Sequence, residues 1–390
     1  MRVTMEPIRS NQRIQSLDVL RGISLLGILL VNMISFHTPF SYYNPYEWFK
    51  YSDLTVYSWI DIFVQGSFYP IFAMMFGYGM VIMQERAAVK DVSFWKISIR
   101  RLIVLLLFGI IHAFLIWYGD ILMTYALVGL LLLLFLKMSG RALLWTGFLL
   151  YFLPQVFIGT LFIAYSYIGD GTLADFTDVA GLQISADTYA TGSFLEITRQ
   201  RFLDWSLNVG IDGILLLIFI ILPLMLIGAG AAKLQWLRRA NQQKLKWVLI
   251  LLCTLPIGLA VKMLPFYIKP SITIQYVQDM IGGPILGFSY IAIIILLMNS
   301  KIVAKLLKPV ASAGRMSLTI YITQSIIGTL IFYSYGFGLY GQVSMAVATW
   351  LAIAIYIIQV ILAEIWLSKF RQGPIEKLWR WMTYGKMKQG

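Results

Sequence analysis

Long apolar runs dominate the chain, broken by short polar or basic stretches. They cover residues 17–37, 56–83, 102–118, 121–136, 142–165, 210–232, 247–265, 281–298, 316–335 and 344–367. A helix that crosses a bilayer needs about 20 mostly apolar residues. The pattern therefore predicts an all-α polytopic membrane helix bundle with about ten transmembrane helices. The first run follows a basic, polar stretch and lacks a small-residue cleavage site after it, so it reads as a retained span rather than a signal peptide. No repeat of fixed period is visible. The chain reads as one transmembrane domain over 1–390, with a long loop at about 166–208 and a basic tail at about 368–390.

Composition agrees with the pattern. Of the 390 residues 59% are hydrophobic and 13% charged, against about 25% charged in soluble domains. Too few charges remain to coat a water-soluble surface, which excludes a disordered chain, a coiled coil and an ordinary cytosolic enzyme. The net charge of +13 would suggest nucleic acid in a soluble protein, but in a membrane protein Lys and Arg set topology. If the N-terminus is cytoplasmic, 25 of the 31 basic residues fall in segments on the cytoplasmic side. Only Lys50, Arg199, Arg201, Lys262 and Lys269 fall outside, and Arg21 lies within the first span. This bias predicts both termini in the cytoplasm. The single Cys253 cannot form an internal disulfide, and two histidines without HExxH spacing predict no metal site.

The long loop is external on this topology. It carries Asp170, Asp175, Asp178, Asp187, Glu196 and Asp204. Phe194, Phe202 and Trp205 near its end suggest a partly ordered cap with an amphipathic helix on the membrane surface.

Ionisable groups inside spans are costly and default to functional candidates. Asp18, Arg21 and Asn32 fall on one stripe of the first span, with Arg21 and Asn32 about 16 Å apart along the axis. Alternatively, Asp18 and Arg21 are a juxtamembrane ion pair. Asn32 needs a partner from another helix. His112, in the third span, is either a buried neutral hydrogen-bonding group or an acid/base, and Arg101 shares its face eleven residues earlier. Asp120 follows in WYGD. It could orient the imidazole, bind a substrate hydroxyl or cap the next helix. His37 closes the first span at an aromatic segment and is either belt decoration or a second candidate base. Asp61 sits near the outer end of the second span and Glu364 near the inner end of the tenth, while Gln324 reads as helix glue. GAGAAK at 228–233 lacks GxxxxGK[ST] and, with FGYG at 76–79, predicts close helix packing.

Four strings, LDVLRGISLLGILLVN, FYPIFAMMFGYG, RRLIVLLLFGIIHAFLIWYGDILMTYALVG and GRMSLTIYITQS followed by GPIEKLWRWMTYGK, resemble the YeiB-like family of bacterial membrane proteins over nearly the full length. GxxHxxxxWYGD is the most specific element. IYITQS departs from an expected Asn-Tyr pair at Ile320. The family's domain is labelled as of unknown function. More remotely, the chain is similar to heparan-alpha-glucosaminide acetyltransferase, which moves acetyl from cytosolic acetyl-CoA to a luminal amino sugar, and to bacterial O-acetyltransferases of surface polysaccharides. The latter place a basic residue about ten residues before a catalytic His. From Arg21 that spacing ends in Asn32; from Arg101 it ends in His112.

The resemblance implies an acyltransferase of the bacterial cytoplasmic membrane, with acetyl-CoA or another acyl-CoA as donor and an envelope glycan, lipid or small hydroxyl compound as acceptor. Arg21, Asp18, Arg100 and Arg101 would then hold the donor, His112 or His37 would act as base or nucleophile, Asn32 would serve the oxyanion and Asp120 would orient the imidazole. Two other classes stay open. A small-molecule permease would use Pro154, Pro223, Pro256 and Pro284 to break spans, although no matched halves are visible. A non-catalytic scaffold would use the polar groups as inter-helix glue.

Overall fold

The structure is a computed structural model and describes residues 13–168, 177–268 and 271–385. Asp170, Asp175 and Lys269 lie outside the described residues, as do Arg2, Arg9, Lys386 and Lys388 near the termini. The described residues are helical, with no strand.

The helices are, in order, α1 (Gln15–His37), α2 (Pro45–Trp48), α3 (Tyr51–Phe63), α4 (Phe68–Val89), α5 (Phe94–Ile111), α6 (Leu122–Phe135), α7 (Gly140–Ile168), α8 (Val179–Thr191), α9 (Phe194–Asn208) and α10 (Ile211–Lys233). They continue as α11 (Lys244–Lys262), α12 (Leu264–Tyr267), α13 (Ile272–Val277), α14 (Gly283–Leu297), α15 (Lys301–Leu306), α16 (Lys308–Arg315), α17 (Ser317–Phe332), α18 (Met345–Lys369) and α19 (Pro374–Tyr384). Two wide π-helical turns, His112–Ile116 and Gln278–Gly282, extend α5 and precede α14.

Among the described residues, eight helical stretches are long and apolar enough to cross a membrane: Gln15–His37, Tyr51–Val89, Phe94–Ile116, Gly140–Tyr165, Leu216–Lys233, Ala240–Lys262, Thr273–Leu297 and Met345–Lys369. Leu122–Phe135 and Ser317–Phe332 are apolar but shorter. Each of the ten apolar runs thus has a helical counterpart. The surface is that of a lipid-facing bundle: Trp145, Phe157, Leu252 and Trp350 are exposed, while Asp18, His112, Asp120 and Lys262 are buried. The chain is a multi-pass membrane protein.

Small residues set the tightest packing. A Cβ on Gly228 would lie 1.9 Å from the Met74 carbonyl oxygen, and one on Gly77 would lie 1.9 Å from that of Met225. Helices α4 and α10 therefore approach backbone to backbone through the GAGAAK and FGYG segments. Pro154, Pro223 and Pro256, expected as possible span breakers, lie inside continuous helices α7, α10 and α11; neighbouring helices hold such positions in a bundle. The second run does break. Gly66 adopts φ +73° in the short turn between the end of α3 at Phe63 and the start of α4 at Phe68.

Candidate functional site

At the end of the bundle where α1 begins, a cavity of about 320 Å³ opens among α1, α4, α5, α16, α17 and α19. Arg13, Arg21, Arg86, Arg101, Arg238, Arg315 and Arg380 line it, against the carboxylates Asp18 and Glu376. Part of this charge is tied locally. Asp18 lies 3.2 Å from Arg13 Nη1 and 3.6 Å from Arg21 Nη1, and Arg238 pairs with Glu85 at 2.6 Å. Arg21 also donates to the Met75 carbonyl at 3.1 Å. The cavity still holds a large cationic excess. Burial lowers Arg380 to about 10, with Arg101, Arg86 and Arg13 repelling it, and burial also lowers Arg315.

Helix α19 forms one wall. Trp379 stacks on Arg101 at 3.7 Å, and its indole N–H donates to the Arg101 carbonyl at 2.9 Å. The Glu376 carboxylate accepts from the Leu318 and Thr319 backbone N–H groups, at 2.8 and 3.0 Å, and from the Thr319 hydroxyl at 2.5 Å. It thus closes the N-terminus of α17, where free N–H groups and the helix dipole favour an anion.

The deep end is apolar and aromatic, with Phe72, Leu122, Tyr125 and Tyr321. Tyr321 is the link to His112: the two ring centroids are 5.0 Å apart. The Tyr321 hydroxyl donates to the Gly119 carbonyl at 3.2 Å and accepts from the Ile121 N–H at 3.3 Å, which fixes it across the turn that carries Asp120.

His112 begins the π turn and is fully buried. Its Nδ1 lies 2.9 Å from Asp120 Oδ1, off the line of an aligned hydrogen bond. Its Nε2 has no partner among the described residues. The other Asp120 oxygen, Oδ2, accepts from the Met123 N–H at 2.6 Å in the first turn of α6. Helix capping and contact with the imidazole, which the sequence left as alternatives, are divided between the two oxygens.

The far side of His112 is closed by α9. Arg201, fully buried, donates to the Leu115 carbonyl at 3.1 Å and to the Tyr335 hydroxyl at 2.7 Å, and its guanidinium lies over Phe194, Tyr333 and Tyr335. Asp204 accepts from Tyr42 and Tyr189 at 2.5 and 2.6 Å and from Gln200 at 2.8 Å; burial raises its pKa. The helix expected around Phe194, Phe202 and Trp205 exists, but its polar face is the buried one. Leu195, Phe202, Leu203 and Leu207 are exposed instead.

The other predicted residues are dispersed. Asp18, Arg21 and Arg101 line the cavity, whereas Arg100 is exposed and outside its lining. The polar stripe expected along α1 is interrupted, because Leu25 and Ile28, buried between Arg21 and Asn32, seal that face. Asn32 is half-buried and lines neither this cavity nor the one that holds His37. His37 sits at the opposite end of α1, where its Nδ1–H donates to the Met33 carbonyl at 2.6 Å. Gln324 donates to Gln359 at 3.0 Å, as helix glue does, and Glu364 pairs with Lys308 at 2.9 Å.

Sequence reasoning missed a second buried polar cluster. Lys262, read as an external loop charge, has a fully buried side chain, and its ammonium donates to Asp279 at 2.8 Å. Asp61 accepts from Tyr46 and from Gln278, whose side-chain amide also donates to the Lys262 carbonyl at 3.0 Å. The available signal was the helical continuity of 273–297, which extends the eighth span back past Asp279.

Residues 231–386 match the family described as Protein of unknown function (DUF418). The chain is 36% identical to the Uncharacterized protein YxaH of Bacillus subtilis, over 98% of this chain and 96% of that one. It is 31% identical to an Uncharacterized 39.9 kDa protein in amylase 3'region of Bacillus acidopullulyticus (98% and 97%) and 28% identical to the Uncharacterized protein YeiB of Escherichia coli (95% and 96%). With similarity of this depth along nearly the whole length, the chain belongs to the YeiB-like family of membrane proteins, whose shared domain is described as of unknown function.

Proposed function

We propose that the protein is a membrane-embedded acyltransferase that takes an acyl group, acetyl in the simplest case, from a cytosolic CoA thioester and passes it to an acceptor reached from the outer face of the bacterial cytoplasmic membrane. The observation that carries this reading is the arginine-lined cavity whose deep wall, Tyr321, backs onto His112. Guanidinium groups suit a donor with several phosphates, through charge-assisted and bidentate contacts. A thin acyl-bearing arm suits the narrow apolar end. The positive-inside bias of the basic residues supports a cytoplasmic position for this cavity, in a reading with ten crossings and both termini inside.

In this reading His112 Nε2, which has no partner among the described residues, takes the proton of the acceptor hydroxyl or amine as the acceptor attacks the thioester carbonyl. The C–S bond breaks, the acyl group passes to the acceptor, and the leaving thiolate receives the proton. Asp120 stabilises the imidazolium and holds the ring. Tyr321 must turn aside for the thioester to reach His112. Asn32 has no geometric support as an oxyanion donor.

The test is thermal unfolding of the purified protein with acetyl-CoA, free CoA or ATP, together with acetyl transfer in membrane vesicles. A ligand at a hundredfold excess over its Kd stabilises by about 2.7 kcal/mol, and His112→Ala should lower transfer about 10²–10⁴-fold. No stabilisation by acetyl-CoA, or full transfer by His112→Ala, refutes the reading. A proton-coupled carrier is the second reading, favoured by the intramembrane Lys262–Asp279 pair beside Asp61. It requires solute uptake that collapses with the proton gradient.

A further inference from the structure

A second cavity, of about 570 Å³, lies at the opposite end of α1 from the arginines, between α8, the start of α3 and the segment that leads into α18. Its lining has the opposite chemistry. Asp53 and Asp187 face Lys50 as the single cationic side chain, with His37 and the aromatic rings of Trp48, Tyr51 and Tyr340 completing the wall. In a chain of net charge +13, a cavity with more carboxylates than cations stands out.

Three features give it the form of a binding site. First, the aromatic wall joins one ring fixed by stacking to one that reaches freely into solvent. Trp48 stacks on Tyr43 with centroids 4.7 Å apart and remains partly exposed. Tyr51 adopts φ +49°, a conformation uncommon for a bulky residue, and its side chain is almost fully exposed. Second, Asp53 is fixed by the Met345 N–H, which donates to its Oδ1 at 3.1 Å. Third, His37 can only be a donor at Nδ1, because its partner there is a carbonyl, so the neutral ring offers Nε2 as an acceptor.

The wall thus presents acceptors, negative charge and π faces. An anion would meet two carboxylates. A cation with N–H donors would meet complementary groups at every charged or aromatic wall residue except Lys50. We propose that this cavity binds a small organic molecule through a protonated primary amine, with Asp53 and Asp187 pairing with the ammonium, Trp48 and Tyr51 covering it and His37 Nε2 accepting one of its protons. The proposal rests on this lining alone and stands whether or not the protein transfers acyl groups.

The test is isothermal titration of the full-length protein in lipid nanodiscs, without acyl donor, with ethanolamine and glucosamine as probes and glucose, acetate and choline as controls. Ethanolamine and glucosamine should bind with an affinity that falls as salt is raised. Choline, which lacks N–H donors, should bind more weakly, and glucose and acetate should not bind. Asp187→Asn, at an exposed position on α8, should weaken the amines about tenfold, the size of a lost charge-assisted contact. Asp53→Asn should do the same. Because Asp53 also caps α18, circular dichroism checks its fold, and Asp187→Asn decides alone if it unfolds. Absence of amine binding, binding of glucose as tight as glucosamine, or wild-type amine affinity in Asp187→Asn overturns the proposal.

Discussion

The Lys262–Asp279–Asp61 cluster gives the sharpest energetic prediction. Lys262 Nζ and Asp279 Oδ1 are 2.8 Å apart, with side-chain exposures of 0% and 22%. At an effective dielectric of 20, the gross attraction at that separation is about 6 kcal/mol. Most of it offsets the cost of bringing both charges out of water, so the net value of the pair is small, but loss of one partner leaves the other uncompensated. The cluster holds two carboxylates and one ammonium. Lys262→Met therefore leaves two acids with no cation and should destabilise by about 4 kcal/mol. Asp279→Asn leaves Lys262 with Asp61, a balanced pair, and should destabilise by about 2 kcal/mol. Lys262→Met combined with Asp279→Leu removes one charge of each sign but leaves Asp61, held by Tyr46 and Gln278, without its ammonium, and should destabilise by less than the sum of the two single changes. SDS titration in mixed micelles, read by tryptophan fluorescence, measures all three. If Asp279→Asn proves worse than Lys262→Met, or if the double variant is additive, the charge-count reasoning fails.

Other consequences follow from single contacts. Glu376→Ala removes three hydrogen bonds at the N-terminus of α17 and should cost about 2 kcal/mol in the same titration, with faster protease cleavage before α19. Arg201→Met leaves the Leu115 carbonyl without its side-chain donor and should cost about 3 kcal/mol, with hydrogen exchange rising first in α8 and α9. Glu196 closes a capping box at the start of α9, where bonds from Ser193 hold its carboxyl below the ordinary range. A carboxyl lowered by folding adds stability above its unfolded pKa and loses it as pH falls through the folded value. Melting temperatures of wild type and Glu196→Gln should therefore differ at neutral pH and converge in acid; a gap that widens in acid refutes this.

Much of the architecture was readable because the bilayer enforces long apolar runs, and each of the ten has its helix. The details lost were those in which polarity and position conflict. In the sequence Lys262 lies near the outer end of the 247–265 run and counts with the external basic residues, yet its side chain is buried and Asp279 meets it from another span. Arg201 and Asp204 count in the sequence only as charges of the external loop. Lipid reverses that logic, because apolar side chains can leave the bundle while charged ones must find partners within it. The hairpin of His112 and Asp120 was legible since WYGD turns the chain within a few residues. The arginine cavity was not, because it gathers side chains from α1, α4, α5, α16, α19 and the segment after α10, and spacing along one helix reports only Arg21 or Arg101. The α1 stripe misled for the same reason: angular position shows which residues share a face, not whether Leu25 and Ile28 seal it.

The two wide turns tie these observations together. A π turn is costly in an ordinary helix and persists where surrounding structure demands it. In the first, the Trp117 N–H reaches back to the His112 carbonyl at 2.8 Å, and the helix then ends, so the Leu115 carbonyl depends on Arg201. In the second, Pro284 has no N–H to offer the Met280 carbonyl four residues earlier, and the Tyr151 hydroxyl donates to it instead at 2.7 Å. Each turn thus carries a carbonyl satisfied by a side chain from a distant helix, and each holds an ionisable residue, His112 or Asp279, against a partner of opposite chemistry. A regular helix would have used those carbonyls internally and rotated the following side chains by a different angle. The widened turns, with their borrowed donors, are what set the imidazole beside Asp120 and the carboxylate beside Lys262.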